Sequence, residues 1–441
     1  MKIKRDLHET DWFSATSTKI VIDSLQKEGT EVRFIGGCVR NSLARKPVTD
    51  IDIATPDRPE RVIELLSLAG IKSLPTGLEH GTVKAIVGRS SFDITTLRQD
   101  AETYGRHAKV IFCNNWLEDA KRRDFTINAI SASPSGAIFD PFGGVSDLEN
   151  GCVKFIGKAS ERITEDYLRI LRFFRFHGLF GRGPINEEAM AACRAHAAKV
   201  QYLSNERIGS EFLKILLVPN PEKICVQMRK ANVLKKILQQ NCKIKHLRMV
   251  NRLETHVVDI EGIAPDEIRH LAALLGGEHN CASDTAKRLS LSKKQHEQLV
   301  TLANPENQLS VNLSQNLKRQ RIRRYGNERA VDLVLLGWAG ELVQSKLSPK
   351  KDKDEYIRLL KQCIDWTPPI FPISGKDALN FGVPPGAAVG AILAHVEAWW
   401  ESEGCNPKRI SCLRQLELAV EKFDISNNDP KIKPEIEYHR E

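Results

Sequence analysis

The stretch from Phe34 to Thr55 reads FIGGCVRNSLARKPVTDIDIAT, and it decides the fold. An apolar strand, a Gly36-Gly37 turn and a helix are followed by a second strand that alternates isoleucines with Asp50 and Asp52. Side chains two apart on a strand share a face, so the two carboxylates point the same way, roughly 6 to 7 Å apart. At that distance like charges repel by about 2 to 3 kcal/mol at an effective dielectric of about 20, and a bound cation, magnesium above all, removes the repulsion.

Each half of this stretch also has a simpler interpretation. Two exposed acids are typical of a solvated edge strand, and paired glycines are typical of a tight turn that binds nothing. A turn that opens a helix can instead present backbone amides to phosphate oxygens, and Arg40 adds a positive charge there. Because the turn and the acids occur together, we predict a site for a divalent metal and a nucleoside triphosphate.

Length and charge bound the class of protein. A chain of 441 residues is too long for one core, so about two to four domains are expected. The net charge is +9, from 65 basic and 56 acidic residues, with a pI near 9.0. The positive net charge suits a polyanionic partner such as nucleic acid, although the protein surface carries both signs of charge and is not purely cationic.

Cysteine and histidine spacing argues against zinc, and hydropathy argues against a membrane. The ten cysteines are never closer than seven positions and the twelve histidines are scattered, so we expect reduced, mostly buried thiols and no metal-binding motif. No run of eighteen apolar residues occurs, and the first nine residues, MKIKRDLHE, carry acids where a signal peptide is apolar. We therefore expect a cytoplasmic protein.

Local patterns predict an α/β head followed by an all-helical remainder. Up to about Pro141, short β-branched runs at 82–87 and 92–96 alternate with helical segments, and from about Ser160 helical patterns take over. The predicted helices include 59–69, 165–176, 187–200 and 205–217. We expect linkers at 347–355 and 366–372 and a loose polar tail over 426–441.

Asp93 lies in a second alternating segment, FDITTLR over residues 92–98, and is a candidate third carboxylate beside the Asp50 and Asp52 pair. Near a primer terminus it would position a metal or take the proton of the attacking hydroxyl. The sequence leaves both roles open, together with that of an exposed strand acid.

Two arginine-rich stretches suit nucleotide binding. Residues 122–129, RRDFTINA, combine two guanidiniums, an acid and an amide, which suits phosphate and ribose contacts; a helix N-terminus capped by Asp124 is the alternative. Residues 165–176, EDYLRILRFFRF, place an acid and three arginines at i, i+3 spacing on a predicted helix. An Asp166 held by arginine presents an acceptor and donors to a base edge, whereas a helical salt-bridge ladder is the ordinary alternative.

A third basic stretch, KRQRIRRY over residues 318–325, concentrates five cations in eight positions. It suits an RNA backbone, although a solvated helix face is the more common explanation of such a run. We expect Trp399-Trp400 to pack in a core and not to stack on bases.

Taken together, these motifs resemble those of the class II nucleotidyltransferase family, which joins bacterial CCA-adding enzymes and bacterial poly(A) polymerases. The resemblance covers residues 30 to 215 strongly, and beyond them it rests on helical character. It is carried by GGCVR at 36–40, DID at 50–52, RRDFTINA at 122–129, and ED at 165–166 with the three arginines that follow.

The resemblance implies an α/β nucleotidyltransferase head followed by a helical neck, body and tail, and it implies a role for each motif. The implied catalytic residues are Asp50, Asp52 and Asp93, of which Asp50 and Asp52 bind Mg²⁺. The implied nucleotide-binding residues are Gly37, Arg40 and Arg123 on the triphosphate, Asp124 and Asn128 on the ribose, Asp166 and Arg169 on the base, and Arg172 and Arg175 in support. In-line attack by the tRNA 3′ hydroxyl on the α-phosphorus of CTP or ATP would be assisted by two metals, with pyrophosphate leaving.

Within the family, PTGLEHGTV at 75–83 resembles the CCA-adding branch, and the tail lacks the basic extension expected of poly(A) enzymes. YGRHA at 104–108, with Arg106, resembles the flexible loop associated with switching from CTP to ATP. The implied function is untemplated addition of C, C and A to the tRNA 3′ end. A poly(A) polymerase and a catalytically silent RNA-binding protein are the alternatives, and intact Asp50 and Asp52 argue against the latter.

Two residues depart from the family pattern. Asn41 stands where many members have Asp, and Lys84 replaces a more usual small or β-branched residue. No His-Asp doublet occurs, so an appended phosphohydrolase domain is not expected. The expected domains are a catalytic head at 1–150, a base-selecting neck at 151–220, a body at 221–345 and a tRNA-binding tail at 346–441.

Overall fold

The computed structural model describes residues 7–78, 81–100, 110–239, 242–277, 279–345 and 353–422. The predictions for Arg106, for Glu79 and His80 of the 75–83 motif, for residues 347–352 of the first linker, and for the tail from residue 426 lie outside these ranges. Spatial clustering divides the chain into two compact units, Met1–Ile244 with Lys287–Leu291 and Lys245–Ala286 with Ser292–Glu441. The finer division into head, neck, body and tail stays a prediction.

The described residues of the first unit form nine strands. They are β1 Arg33–Ile35, β2 Ile51–Thr55, β3 Lys72–Gly77, β4 Thr82–Val87, β5 Ser90–Thr96, β6 Arg98–Asp100, β7 Val110–Phe112, β8 Ser131–Ala132 and β9 Ile138–Phe139. Seven of them form a mixed sheet with the order β3-β4-β5-β2-β1-β8-β9, and β6 and β7 form a separate two-stranded ribbon. The predicted strands at 82–87 and 92–96 are thus confirmed.

Strand register brings distant acids side by side. Strands β2 and β5 pair in parallel, with Asp52 opposite Asp93, while β4 and β5 pair antiparallel, with Lys84 opposite Asp93. The other faces of these strands carry Ile53, Val83 and Phe92, which are fully buried. Burial of the apolar face fixes the register, because a slip by one residue would expose that face and bury the acids.

Helices cover this sheet and extend the first unit. The helices are α1 Asp11–Ser14, α2 Thr16–Leu25, α3 Gly37–Leu43, α4 Pro59–Leu68, α5 Trp116–Lys121, α6 Gly144–Asn150, α7 Ala159–Glu165, α8 Leu168–Phe180, α9 Glu187–His196, α10 Asn205–Leu216, α11 Pro221–Lys230 and α12 Leu234–Leu238, with 3₁₀ turns at Leu7–Glu9, Thr126–Asn128 and Ala197–Tyr202. Helix α4 packs on β3, β4 and β5, and α8 packs against α10 and α11. The helices predicted at 59–69, 187–200 and 205–217 are confirmed, although α9 ends at His196 and continues as a 3₁₀ turn.

The second unit is helical, and its described residues contain no strand. From residue 244 onward the elements are α13 Ile244–Arg252, a π-helical turn Leu253–Val257, α14 Glu267–Leu275, α15 His279–Arg288, α16 Lys293–Leu302, a 3₁₀ turn Pro305–Asn307, α17 Gln315–Tyr325, α18 Asn327–Ser345, α19 Lys353–Asp365, α20 Gly375–Asn380, α21 Ala387–Ser402 and α22 Arg409–Lys422. Trp400 is buried and lies 5.4 Å from the Phe371 ring, which confirms the packing role expected for the Trp399-Trp400 pair. Among the described residues, no helix has the length and apolar character needed to cross a membrane.

The basic run at 318–325 forms α17, and most of its cations bind inside the second unit. Arg323 donates to Glu397 at 2.5 Å and to Glu401 at 3.0 Å, and Lys318 donates to the Val311 carbonyl at 2.7 Å. Arg319 donates to Asn406 and Arg321 to the Gln308 carbonyl. Lys318, Arg319, Arg321 and Arg323 thus donate to groups of the second unit itself, and Arg324 is the exposed cation of the run.

Candidate active site

The Gly36-Gly37 turn connects β1 to α3 and lies directly beside Asp52. Gly36 has φ +65°, a backbone conformation that favours glycine. A Cβ built on Gly36 would lie 3.4 Å from Arg123 Nη1 and 4.0 Å from Asp52 Oδ2, and one on Gly37 would lie 3.9 Å from the same oxygen. The turn predicted from the sequence is confirmed, and its open face leaves space above the Asp52 carboxylate and Arg123.

Asp50, Asp52 and Asp93 occupy neighbouring positions but different surroundings. Asp52 is half-buried on β2, whereas Asp50 is exposed and immediately precedes that strand, where Thr49 Oγ1 donates to it at 3.0 Å. Asp93 Oδ1 pairs with Lys84 Nζ at 2.6 Å. Within the described part of the chain, the Asp52 carboxylate accepts no hydrogen bond, which leaves its oxygens available to a ligand.

The electrostatics of Asp52 fit a cation site. Burial and the charges of Asp93 and Asp50 raise the pKa of Asp52 above its usual range, against the opposing charges of Arg123 and Lys84. No three Asp, Glu, His or Cys side chains converge to hold a metal anywhere in the described ranges. The Asp50 and Asp52 oxygens are hard ligands that suit Mg²⁺, and a cation held by one or two carboxylates usually completes its shell with phosphate oxygens and water.

Arg122 and Arg123 are held by Asp119, a residue that the sequence did not point to. Asp119 Oδ1 accepts from Arg122 Nη2 at 2.6 Å, and Asp119 Oδ2 accepts from Arg123 Nη2 at 2.9 Å. Burial raises the pKa of Asp119, but the charges and hydrogen bonds of Arg123 and Arg122 together leave that pKa below its ordinary value. Its i, i+3 and i, i+4 spacing to the two arginines is the signal that identifies it.

Asp124 and Asn128 form one hydrogen-bonded group. Asp124 Oδ1 accepts from Asn128 Nδ2 and from the Phe125 backbone, both at 2.9 Å, while Arg172 Nε donates to Asp124 Oδ2 at 2.6 Å. Burial raises the pKa of Asp124, but the charge of Arg172 and the hydrogen bonds from Asn128 and Arg172 have the larger combined effect. The pKa of Asp124 therefore lies below its ordinary value, and the carboxylate stays charged. The alternative of a helix N-terminus capped by Asp124 is wrong, because the 3₁₀ turn Thr126–Asn128 has Phe125 at its N-cap and no side-chain capping hydrogen bond.

Arg40 is held by two amides and lies over an aromatic ring. It donates to Asn128 Oδ1 and, through Nη2 at 2.8 Å, to Asn41 Oδ1. Its guanidinium lies 5.0 Å from the Phe176 ring centroid. Burial, and then the charge of Arg175, lowers the pKa of Arg40 to about 10, while the charge of Asp124 acts in the opposite direction. Asn41, the first departure from the family pattern, therefore orients this arginine.

The predicted helix at 165–176 is wrong at its start, because the chain breaks at Asp166. Helix α7 ends at Glu165, Asp166 has extended backbone with φ −153° and ψ 110°, and α8 begins at Leu168. Asp166 Oδ1 accepts from the Leu168 backbone N–H at 3.1 Å, a local side-chain-to-backbone bond of the kind that forms a turn and competes with a continuous helix. Leu168 is half-buried, unlike the fully buried Leu171.

Asp166 is held by an arginine, but not by any of the three arginines of α8. Arg207 Nη2 of α10 donates to Asp166 Oδ2 at 2.7 Å. Arg169 instead binds Glu165 at 2.5 Å and the Arg122 carbonyl at 3.2 Å. Asp166 and Arg169 are thus held by different partners, Arg207 and Glu165, and both line the same cavity.

These side chains surround one cavity of about 320 Å³. Its lining residues are Gly36, Gly37, Arg40, Asp52, Arg123, Asp124, Asn128, Asp166, Arg169, Arg172 and Phe176. Of the predicted site residues, Asp50, Asp93 and Arg175 do not line it; Arg175 pairs with Glu211 at 2.6 Å and lies over Phe176 at 4.6 Å. The cavity therefore brings together residues from the turn, from β2 and from α8 that are far apart in sequence.

Comparisons with known proteins assign the chain to a family. The family model described as Poly A polymerase head domain matches residues 32–154, and the one described as Probable RNA and SrmB- binding site of polymerase A matches residues 184–242. The CCA tRNA nucleotidyltransferase 1, mitochondrial, of Mus musculus is 32% identical over 395 residues, which cover 88% of this chain and 86% of the relative. The chain belongs to the class II nucleotidyltransferase family.

Bacterial members of the family are also similar. The CCA-adding enzyme of Oceanobacillus iheyensis is 42% identical over 198 residues, which cover 44% of this chain and 48% of that enzyme. Among solved structures, the Bacillus stearothermophilus CCA-adding enzyme in complex with CTP has a TM-score of 0.69 at 22% identity and covers 91% of this chain and 96% of its own. The fold of this family, an α/β head followed by helical elements, is thus confirmed for this chain.

Proposed function

We propose that this chain adds C, C and A to the 3′ end of tRNA without a template, using CTP and ATP and releasing pyrophosphate. The observation that carries the proposal is the placement of the Asp52 carboxylate beside the Gly36-Gly37 turn, in a cavity that Asp166 and Arg169 also line. Relatives named for CCA addition support the same function.

The phosphate end of the cavity is built from cations beside acids. Arg123 lies next to the glycine turn, and Arg40 lies next to Gly37 at 3.8 Å from a built Cβ. Both would bind triphosphate oxygens. The two glycines carry no side chain, so nothing at the turn blocks the approach of those oxygens. Enzymes of this family are generally divalent-metal dependent. We assign Mg²⁺ to Asp50 and Asp52, where it would neutralise developing charge on the phosphates.

The nucleoside end is built from fixed polar groups. The Asp124 and Asn128 pair would bind the ribose hydroxyls, because the carboxylate accepts and the amide donates. Asp166 and Arg169 would read the base edge, and their partners Arg207 and Glu165 fix both side chains in advance. A base read by protein groups alone needs no nucleic-acid template. Arg172 supports this end through Asp124, and Arg175 supports it through Phe176.

With a nucleotide placed in this way, the tRNA 3′ hydroxyl attacks the α-phosphorus in line, and the bond to the pyrophosphate breaks. The residues of this chain contribute position and charge, since Arg40 and Arg123 balance the charge that passes to the leaving group. Arg106 remains a predicted contributor to the change from CTP to ATP, and a cytoplasmic location remains a proposal.

A poly(A) polymerase is the second candidate, because both matching family models carry that description. One assay separates the two. Purified protein is given Mg²⁺, CTP, ATP and a tRNA that lacks its 3′ terminal C, C and A. A fixed extension of three nucleotides that then stops supports CCA addition, whereas a long adenylate ladder selects the polymerase. Absence of any extension, with tRNA still bound, points to the silent RNA-binding protein.

A further inference from the structure

Lys84 is the one departure from the family pattern that touches an acid of the site. It lies on β4 directly opposite Asp93 of β5, which in turn lies directly opposite Asp52 of β2. The three residues therefore form a row across three adjacent strands, in the order Lys84, Asp93, Asp52. Side chains in such a row share one face of the sheet and interact as cross-strand neighbours.

Lys84 and Asp93, the first pair in the row, form a direct ion pair. Lys84 Nζ lies 2.6 Å from Asp93 Oδ1, and the two side chains are 32% and 33% exposed. In the second pair, Asp93 and Asp52 are cross-strand neighbours in register on β5 and β2, so their like charges repel across the sheet. Asp93 is thus shared between a lysine on one side and a carboxylate on the other.

We propose that Lys84 is a positioning residue that holds the Asp93 carboxylate and offsets its charge, and so limits how tightly the site binds a divalent cation. The inference rests on the proposed function, because it takes Asp50 and Asp52 as the cation ligands. It also explains why Asp50, Asp52 and Asp93 do not form a three-carboxylate group of the kind that holds a metal by itself, a group absent from the described residues. The third acid, Asp93, instead pairs with the Lys84 ammonium group.

A simple charge count gives the size of the effect. Asp50, Asp52, Asp93 and Lys84 together carry a formal charge of about −2, which becomes about −3 when Lys84 is neutral and about −1 when Asp93 is neutral. A unit charge roughly 8 Å from a divalent ion, screened nearly as in water, changes its Kd by about five-fold. A pair that only braces the sheet would leave the Kd unchanged, since a half-exposed ion pair acts mainly on stability and by little.

The experiment measures binding of Mn²⁺ to the full chain by electron paramagnetic resonance, with no nucleotide or tRNA present. Lys84→Met should lower the Kd by about five-fold, Asp93→Asn should raise it by about five-fold, and the double variant should return close to wild type. Lys84→Arg keeps the charge and should restore the wild-type Kd. Lys72→Met is the matched control, since Lys72 is an exposed lysine on the neighbouring strand β3.

The outcomes separate this inference from the proposed function. The role of Lys84 is overturned if folded Lys84→Met has an unchanged or raised Kd for Mn²⁺ and the Kd of the double variant is no closer to wild type than that of Asp93→Asn. That result leaves the proposed function untouched. Asp52→Asn should abolish Mn²⁺ binding; if Asp52→Asn binds as wild type does, the metal assignment of the proposed function fails, whatever Lys84 does. Should Lys84→Met not fold, Asp93→Asn and Lys84→Arg still test the charge order.

Discussion

Arg207 of α10 donates a 2.7 Å hydrogen bond to Asp166 Oδ2, at the break between α7 and α8. Both side chains are about one-third exposed, so the pair contributes little to stability, and its main effect is to fix a carboxylate that faces the cavity. A base-reading acceptor has to be held in place, because a mobile carboxylate would accept from either cytosine or adenine equally well.

We expect Arg207→Gln to reduce the discrimination between CTP and ATP by about ten-fold, with a smaller change in overall turnover. Asp166→Ala, which removes the acceptor, should abolish that discrimination. The measurement is kcat/KM for each nucleotide on tRNA substrates that await C or A. Arg194→Gln is the control, because Arg194 is an exposed arginine of α9. Unchanged selectivity in Asp166→Ala would remove the base-reading assignment.

Asp52 carries the strongest prediction about chemistry. We expect Asp52→Asn to reduce incorporation by about a thousand-fold, the upper range for loss of one group that stabilises transition-state charge. Binding of tRNA, measured by fluorescence anisotropy, should remain nearly intact because Asp52 lines the cavity that we propose for the nucleotide. Asp23→Asn, a change at an exposed carboxylate of α2, should keep activity. Substantial incorporation by Asp52→Asn would contradict the metal site.

Asp119 links the charge of the site to stability at acidic pH. Its pKa in the folded protein lies below the ordinary value, so its stabilising effect is fully present above about pH 4 and is lost as the pH falls through the folded pKa. Asp119→Asn should lower the free energy of unfolding near neutral pH by about 2 kcal/mol and should raise KM for both nucleotides, because Arg122 and Arg123 lose their anchor.

Thermal unfolding of wild type and Asp119→Asn between pH 3 and pH 7, at about half-unit steps, checks the sign of that effect. The difference between the two proteins should shrink as the pH falls below about 4, because wild type then loses the contribution that the variant already lacks. A difference that stays constant across this range would show that Asp119 acts through packing and not through its charge.

Elements defined by local pattern were predictable from the sequence. The strand pair around the 82–87 and 92–96 segments, the glycine turn and the first helices follow from alternation and from turn residues, which are properties of a few neighbouring positions. The alignment of Asp93 with Asp52 was expected only as proximity, and its exact register appears once β2 and β5 pair in parallel.

Partners from distant elements were not predictable. Arg207 is 41 positions from Asp166 and belongs to another helix, so no spacing rule connects them. The break at Asp166 was missed because the helical pattern continues through it, while the bond from the Leu168 N–H to the Asp166 side chain appears only in the structure. The cations of α17 likewise fit a solvated face by sequence alone, and only the packed structure shows their internal partners.

Arg323 and Arg324, neighbours in that run, give a matched pair for testing the role of its charge. Arg323 binds Glu397 and Glu401 and lies 4.8 Å from the Trp400 ring, whereas Arg324 is exposed. We expect Arg323→Gln to lower the free energy of unfolding of the second unit by about 1 to 2 kcal/mol, because two carboxylates and an aromatic face lose their cation. Arg324→Gln should leave stability within about 0.5 kcal/mol of wild type.

Calorimetry on the full chain measures the stability of both variants, and tRNA binding at several salt concentrations measures any electrostatic contact. If the run bound RNA through all of its cations, both substitutions would weaken binding equally and reduce its salt dependence by about the same amount. We expect instead that the stability loss belongs to Arg323, and that any loss of salt-dependent tRNA binding belongs to Arg324, since its guanidinium is the exposed one of the two.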